Sequence, residues 1–289
     1  MNRKLMTGIG ALALAVVAPV VTAQQPFTPP RPSPKGAVTQ TVGMTDVTVT
    51  YSRPGVKGRK IWGDLVKYGE VWRTGANEAT QIVFADDVTV SGTKLPAGRY
   101  SLHTLPGKDE WTVIFNKEAD QWGSYNYDEK KDALRVKAKP EAAEMAELLT
   151  ISFPAVKENG ATLAIHWEKV RVSVPIEVDT KTIAVAKAKD AIAKAKADDW
   201  RTPLGASRWA RDAKLTAEAK EWLEKSIAAK ATLGNLTDKA RMLADEGKKA
   251  EAIAAGEKAL AAAKTQDPKP SAEAVAATEK LVADWKAKK

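Results

Sequence analysis

The 289-residue sequence contains no cysteine and only two histidines, His103 and His166. The absence of cysteine excludes disulfide bridges, thiol nucleophiles and zinc–thiolate sites. Two histidines are too few for a three-histidine zinc site within one chain. The sequence also lacks the motifs of phosphate-binding loops, zinc-protease helices, calcium-binding loops and serine-hydrolase elbows. We therefore expect neither a metal nor a cofactor.

Long apolar runs are also scarce, and the one at the start of the chain follows the basic residues Arg3 and Lys4. It ends in Val21-Thr22-Ala23, which are small residues suited to cleavage. This pattern is typical of a secretory signal peptide rather than a membrane anchor. We expect residues 1–23 to be removed, and the mature chain to be exported to the periplasm or outside the cell with no membrane span.

The formal net charge of +9 suggests an acidic partner only until its distribution is considered. Charges balance between residues 24 and 180, and the excess of Lys and Arg lies in the last 109 residues, scattered among alanines. A nucleic-acid interface gathers basic residues into a patch with aromatic side chains. The scattered pattern indicates a solvated helical surface, so we expect no nucleic-acid partner.

The pattern of residues divides the rest of the chain into three parts. Residues 24–36 form a proline-rich leader, which we expect to be extended. Residues 37–180 contain short runs of alternating β-branched and polar residues, separated by turn signals such as Leu95-Pro96-Ala97-Gly98. Such runs predict an all-β, antiparallel sandwich, or a barrel-like variant of it. Residues 181–289 form a third, helical part.

The last predicted strand changes phase. Apolar residues occupy odd positions in 161–167 and even positions in 170–178. Because side chains alternate between the two faces of a strand, the change requires one extra residue near Glu168 and Lys169, which is a β-bulge. The alternative is a strand that crosses from one sheet of the sandwich to the other. In either case His166 should point away from the apolar residues beside it.

The alanine-rich tail has a helical period, which predicts an all-α module. The segment that begins at Ala217 returns at Ala250, an offset of 33 residues. This offset is close to the roughly 34-residue period of tetratricopeptide units, and Gly247 lies where such a unit turns. Lys249 and Gly256 depart from the pattern, since they stand where large side chains are usual. We expect two degenerate tetratricopeptide-like units that pack on each other and contact a protein partner.

Two polar stretches interrupt the predicted strands: YSRPGVKGRKIWG (Tyr51–Gly63) and VWRTGANEAT (Val71–Thr80). Arginine binds carboxylate and phosphate groups and stacks on aromatic rings. We hypothesise that the stretches meet at one end of the sandwich in a pocket for a polar or anionic small ligand. Arg59 and Arg73 would attract the ligand, with Glu78 balancing their charge. The structural alternative is that the arginines pair with carboxylates to hold the loops. The candidate binding residues are Arg53, Arg59, Trp62, Trp72, Arg73, Asn77 and Glu78.

Histidine is the side chain best suited to act as a base near neutral pH, and His103 lies on the polar face of a predicted strand. We name His103 and Glu78 as catalytic candidates, and a solvated or structural histidine as the alternative. A third cluster contains Trp122, Tyr125 and Tyr127. These aromatics either stack on a sugar or peptide, or hold a long loop on the sandwich.

These stretches, with LPAGRYSLHTLPGKDEWTVIFNK and WGSYNYDEKKDALRV, resemble the bacterial secreted proteins grouped as the domain of unknown function 2911 family. The resemblance covers about residues 34–178. It implies export, bacterial origin and a β-rich domain, but no reaction, cofactor or catalytic residue. The helical tail resembles the segment that follows this domain in some members.

A chain without a complete motif for nucleophile, base and oxyanion donor is more typical of a binding protein than of an enzyme. We therefore expect an exported cell-envelope protein that binds a ligand or partner without catalysis. The alternative is a hydrolase that uses His103 with a carboxylate and an arginine clamp. Convergence of His103, Arg73 and Glu78 in one pocket would favour the hydrolase.

The N-terminal pattern predicts cleavage after Ala23. Protein recovered from the envelope fraction of an expressing bacterium should have the intact mass of a chain that begins at Gln24. A mass that still includes residues 1–23 would contradict the prediction.

Overall fold

The computed structural model describes residues 29–287, so the predicted signal peptide and its predicted cleavage site lie outside the described residues. Residues 29–287 form ten β-strands followed by six α-helices. The predicted combination of an antiparallel sandwich and an α-helical tail is confirmed. None of the helices in this part of the chain is both long enough and apolar enough to cross a membrane.

The strands form two antiparallel sheets, which pack as an open sandwich rather than a closed barrel. The six-stranded sheet has the order β1-β2-β3-β6-β7-β8 and the four-stranded sheet the order β5-β4-β10-β9. The first sheet contains β1 (Lys35–Val42), β2 (Thr45–Ser52), β3 (Thr80–Phe84), β6 (Gly98–Leu105), β7 (Trp111–Asn116) and β8 (Asp132–Ala138). The second contains β4 (Val88–Val90), β5 (Thr93–Leu95), β9 (Pro140–Lys157) and β10 (Gly160–Glu177).

The alternation of apolar residues decides which face of each strand is buried. In β2, Val47 and Val49 are buried while the residues between and beside them are more exposed. In β10, Ala161 and Leu163 are buried in the same way, and Thr162 between them is more exposed. Because side chains of a strand point alternately to opposite faces, each sheet presents one apolar face to the other. The hydrophobic core therefore lies between the sheets.

The predicted change of phase coincides with an irregularity in strand pairing at Glu168. The pairing of β10 with β9 shifts register on both sides of this residue, whose φ angle is +55°. After this irregularity the strand continues in the same sheet, where Ile176 pairs with Val90 of β4. The change of phase therefore arises within one sheet and not at a crossing between sheets, although the additional residues of these register shifts lie in β9 and not in β10 as we expected. His166 is only partly buried, whereas Trp167 beside it is fully buried.

The tail forms two helical hairpins between a first and a last helix. Its helices are α1 (Thr180–Lys194), α2 (Arg201–Asp212), α3 (Thr216–Ala229), α4 (Leu233–Asp245), α5 (Lys249–Thr265) and α6 (Ala272–Ala287). The hairpins α2–α3 and α4–α5 repeat at the spacing seen in the sequence, and Gly247, with a φ of +76°, lies in the turn of the second hairpin. The offset therefore reflects two similar units.

Helix α1 joins the tail to the sandwich. Lys187 Nζ donates to the carbonyl oxygen of Met44 at 2.7 Å and to Asp86 Oδ2 at 2.8 Å. Asp179 caps the start of the helix by accepting from the backbone N–H of Thr182 at 3.0 Å. This cap stands two residues after the end of β10, so the chain passes from strand to helix without a linker.

Gly256 permits the contact between α5 and α6, which explains one departure from the repeat pattern. A Cβ atom at this position would lie 2.4 Å from Cγ2 of Val282 in α6. Such a contact is too short, and valine is a stiff side chain that cannot easily move away. A large residue at position 256 would push the last helix off its neighbour.

The two helical glycines Gly256 and Gly205 provide a matched test of this contact. Gly205→Ala should raise stability by up to about 1 kcal/mol, because alanine favours helix and nothing lies within 4 Å of the added atom. Gly256→Ala should fail to gain this stability, since overpacking typically costs about 1–3 kcal/mol. Thermal unfolding followed by circular dichroism at 222 nm measures both. Equal stabilisation by the two substitutions would contradict the packing described here.

Candidate functional site

The two polar stretches meet, and tryptophans make the contact. The rings of Trp62 and Trp72 lie edge to face with centroids 5.9 Å apart. Trp62 also contacts Trp111 at 4.9 Å, and Trp72 stacks on Trp167 at 5.8 Å with an interplanar angle of 19°. Trp111 and Trp167 are fully buried. Trp62 and Trp72, both named above as candidate binding residues, thus pack on the core and hold the stretches on the sandwich.

Arg53 and Arg59 bind the protein's own backbone. Arg53 Nε donates to the carbonyl oxygen of Leu149 at 2.9 Å, and its Nη2 donates to Thr150 Oγ1 at 2.9 Å. Arg59 donates to the carbonyl oxygens of Gly55 and Val56 at 2.5 and 3.1 Å. Both arginines therefore stabilise the first stretch, although through carbonyl groups and not through the carboxylates that the structural alternative named.

The second stretch is joined by hydrogen bonds to the loop that carries the aromatic cluster. The backbone N–H of Ala79 donates to the carbonyl oxygen of Gln121 at 2.9 Å. The backbone N–H of Gly123 donates to the carbonyl oxygen of Asn77 at 3.1 Å. Asn77 has a φ of +58°, and its side chain donates to Ser52 Oγ at 3.2 Å. Asn77 thus turns the chain, and its carbonyl oxygen holds the aromatic loop beside the second stretch.

Glu78 is paired with the leader. Nη1 of Arg31 lies 2.7 Å from each carboxylate oxygen of Glu78, and the guanidinium carbon is 5.9 Å from the centroid of the Trp122 ring. The hydrogen bonds from Arg31 lower the pKa of the Glu78 carboxyl group. The carboxylate that we expected to balance Arg59 and Arg73 therefore balances a cation of the proline-rich leader.

Arg73 lies against the aromatic loop at Gly123. Its Nη1 would be 3.3 Å from a Cβ atom at Gly123, and the ring of Tyr125 would be 2.9 Å from the same atom. Its Nε is buried and has no hydrogen-bond partner within residues 29–287. Tyr125 and Trp122 are 80% and 57% exposed. An unpaired guanidinium donor thus lies beside exposed aromatic rings.

His103 is buried between two serines, and not solvated as its place on a polar face suggested. Its Nε2 is 3.1 Å from Ser101 Oγ, and its Nδ1 is 3.1 Å from Ser124 Oγ. The hydroxyl of Ser101 already donates to the carbonyl oxygen of Glu118 at 2.7 Å. Nε2 must therefore carry the proton and donate to Ser101, while Nδ1 accepts from Ser124.

This arrangement is poorly suited to general-base catalysis. Burial lowers the pKa of His103 to about 4, and the charge of Asp132 offsets this only in part. A base is most effective when its pKa is near the working pH. Nε2 donates to a serine and not to a carboxylate, so nothing bonded to the ring balances a charge on it. Glu78, the carboxylate named with His103, is bonded to Arg31 instead.

The aromatic cluster serves two purposes. The ring of Tyr127 lies 5.2 Å from that of His103, and its hydroxyl donates to Asp132 Oδ2 at 2.6 Å, which holds the loop on the sheet. Burial and this bond raise the pKa of Tyr127. Trp122 and Tyr125 remain exposed and available to a ligand. Tyr127 therefore fits the hypothesis that the cluster holds the loop, and the stacking hypothesis is left to Trp122 and Tyr125.

Two participants were missed by sequence reasoning, Arg31 and Ser124. Arg31 is separated from Glu78 by 47 residues and lies in a leader without strand periodicity, so no local pattern connects the two. Ser124 lies in the quoted aromatic segment, but its bond to His103 depends on how the loop folds back. Within the described part of the chain, no group of three or more His, Asp or Glu side chains is arranged to bind a metal ion.

Comparison with known proteins gives one match. The model of the family described as "Protein of unknown function (DUF2911)" matches residues 33–176, which are nearly the whole β-sandwich. This confirms the resemblance seen in the sequence. Searches of curated proteins and of solved structures found no match.

The buried His103 predicts a pH dependence of stability. Its folded pKa is about 4, below the ordinary value of 6.5, so the unfolded chain binds the extra proton between these pH values. Stability should therefore fall as the pH falls from 6.5 towards 4, by about 2 kcal/mol between pH 7 and pH 5. Urea unfolding at the two pH values measures the effect.

The His103→Gln variant should lack this component of the pH dependence, whatever its stability at pH 7. His166→Gln is the matched control and should retain it, because His166 is only partly buried. An identical loss of stability between pH 7 and pH 5 in the parent protein and His103→Gln would show that His103 is not buried in its neutral form.

Proposed function

We propose that this chain, which belongs to the DUF2911 family through residues 33–176, is an exported protein of the cell envelope that binds a small anionic ligand at Arg73. Export to the periplasm or beyond is supported by the basic start, apolar run and cleavage signal of residues 1–23. The ligand site is supported by the geometry of Arg73 and its neighbours.

The observation that carries the proposal is the unpaired Nε of Arg73. A buried donor without an acceptor costs about 1–3 kcal/mol, and more when the group is charged. A carboxylate or phosphate group that accepted from this nitrogen would remove the cost and neutralise the charge. Arg53 and Arg59 offer no comparable opportunity, because backbone carbonyls already accept from their guanidinium groups.

The surroundings of Arg73 suggest the rest of the ligand. Tyr125 and Arg73 both lie against Gly123, and Trp122 precedes it in the same exposed loop. Exposed aromatic rings offer a surface for the apolar or planar part of a ligand. A small organic acid or phosphate ester with such a part matches both the arginine and the rings.

Binding explains the site better than hydrolysis. The hydrolase hypothesis required His103, Glu78 and Arg73 to act together, but His103 is bonded to serines and Glu78 to Arg31. His103 is also a weak base in its buried position. Of these three residues, Arg73 keeps a donor that is unpaired within residues 29–287, and one free donor beside aromatic rings is sufficient for recognition but not for bond cleavage.

The helical tail supplies the second part of the proposal, a contact with a protein partner. Its support is the pair of similar hairpins, α2–α3 and α4–α5, whose period is close to that of tetratricopeptide units. Stacked helical hairpins commonly form extended binding surfaces. The sandwich would then hold the small ligand while the tail holds the partner.

The Arg73→Met variant tests the ligand site. A thermal-shift screen of organic acids and phosphate esters should find ligands that stabilise the parent protein, by about 2.7 kcal/mol at 100 times the dissociation constant. Arg73→Met should lose this stabilisation, because methionine keeps the length of the side chain but supplies no donor. Without ligand, Arg73→Met should unfold at a temperature no lower than that of the parent.

Arg99→Met is the matched control. Arg99 lies on the same sheet and already forms an exposed ion pair with Asp120, so its replacement should leave ligand binding intact. A strong loss of stability in ligand-free Arg73→Met, with unchanged ligand binding, would show that Arg73 is a structural residue and would contradict the proposal.

A further inference from the structure

The leader places a guanidinium group in a cradle formed by a carboxylate and an indole. Arg31 approaches both carboxylate oxygens of Glu78 through Nη1 at 2.7 Å and lies 5.9 Å from the centre of the Trp122 ring. A guanidinium recognises carboxylates through hydrogen bonds and aromatic faces through its charge and planar shape. Glu78 and Trp122 therefore provide the two elements of a guanidinium-binding site, hereafter the Glu78–Trp122 cradle.

The cradle is fixed, whereas its occupant is loosely held. Glu78 and Trp122 face each other across an isolated antiparallel bridge, with backbone hydrogen bonds on either side of it. The side chains of Arg31 and Glu78 are 42% and 45% exposed, and ion pairs at this level of exposure contribute little to stability. A rigid receptor that holds a weakly bound group can exchange that group for another of the same kind.

The segment around Arg31 also has the form of a peptide ligand. Arg31 stands between Pro30 and Pro32, and prolines on both sides favour an extended conformation with little entropy left to lose on binding. The leader is attached just after this point, where the backbone N–H of Arg53 donates to the carbonyl oxygen of Pro34 at 2.8 Å. Arg31 thus has the character of a tethered ligand.

We infer that the Glu78–Trp122 cradle is a recognition site for an arginine in an extended, proline-containing peptide, and that the leader blocks this site until such a peptide displaces Arg31. The charges agree with this role. With Arg31 in place the carboxylate is neutralised, and with Arg31 displaced it attracts another cation beside the indole face. The inference does not depend on the anion proposed at Arg73, because it rests on the contacts of Arg31 with Glu78 and Trp122, and Trp122 is the one side chain that both proposals use.

Tethering determines how strongly Arg31 competes. A group attached by a short segment acts at an effective concentration in the millimolar range or above, so a free peptide of equal intrinsic affinity is largely excluded. Removal of the Arg31 guanidinium should therefore expose the cradle. The apparent affinity for the free peptide should rise by about tenfold or more, since the fraction of binding-competent molecules increases.

The test uses the mature chain and a fluorescently labelled peptide with the leader sequence TPPRPSPK, with binding measured by anisotropy. Arg31→Ala should bind the peptide at least tenfold more tightly than the parent protein. The double variant Arg31→Ala/Glu78→Gln should lose that binding, and Arg31→Ala/Trp122→Ala should weaken it. A peptide with alanine in place of its arginine should not bind to any of these proteins.

The Arg171→Ala variant is the matched control, because Arg171 forms an ion pair with Glu141 at 3.1 Å with similar side-chain exposures of 44% and 55%. It should bind the peptide no more tightly than the parent. Melting temperatures of all variants establish that each is folded. Equal affinity of Arg31→Ala and the parent, absence of binding by both, or binding that survives Glu78→Gln would overturn the inference. Anion binding by Arg73, measured separately in the Arg31→Ala and Arg31→Ala/Glu78→Gln variants, can persist or fail whichever of these outcomes is found.

Discussion

The packing of four tryptophans is the constraint on which the arrangement of the polar loops depends: the partly buried Trp62 and Trp72 contact the fully buried Trp111 and Trp167. Large aromatic side chains contribute strongly to a core and prefer edge-to-face or offset-stacked contacts. Two of the four come from strands of opposite sheets and two from the connecting stretch, so the cluster joins the sandwich to its loops. Two of their polar ends are constrained as well, since the N–H groups of Trp72 and Trp167 donate to the carbonyl oxygens of Gly75 and Glu147 at 3.1 and 3.3 Å.

The position of Arg73 follows from this cluster. Trp72 pairs with Thr104, near the end of β6, through two backbone hydrogen bonds of 2.7 and 2.8 Å. The next residue, Arg73, is therefore fixed close to the end of this strand. Asn77 then turns the chain, and the residues after it pair with the aromatic loop. Arg73 is thereby held against Gly123 with a donor unpaired within residues 29–287. A rigid core and a loop at its edge together provide a preorganised polar group, which favours binding because little order remains to be imposed.

The sequence was informative where the signal was local and less so where it depended on distant contacts. Alternation and turn residues predicted the strands, the phase change predicted an irregularity at Glu168, and the internal repeat predicted the helical hairpins. The partners of the polar residues could not be predicted, because Glu78 meets Arg31 across 47 residues and Arg53 meets Leu149 across 96. His103 shows the same limit. Alternation placed it on a polar face, but only the folded loop reveals that this face is covered.

The central claim is that Arg73 presents a free guanidinium donor to an anionic ligand beside Trp122 and Tyr125. A crystal structure of the mature protein, soaked with the organic acid or phosphate ester that stabilises it most, tests this claim most directly. The account predicts ligand density with an anionic oxygen within hydrogen-bond distance of Arg73 Nε and a planar or apolar group against one of the two rings. A structure in which a protein group accepts from Nε, while the ligand binds elsewhere, would contradict it.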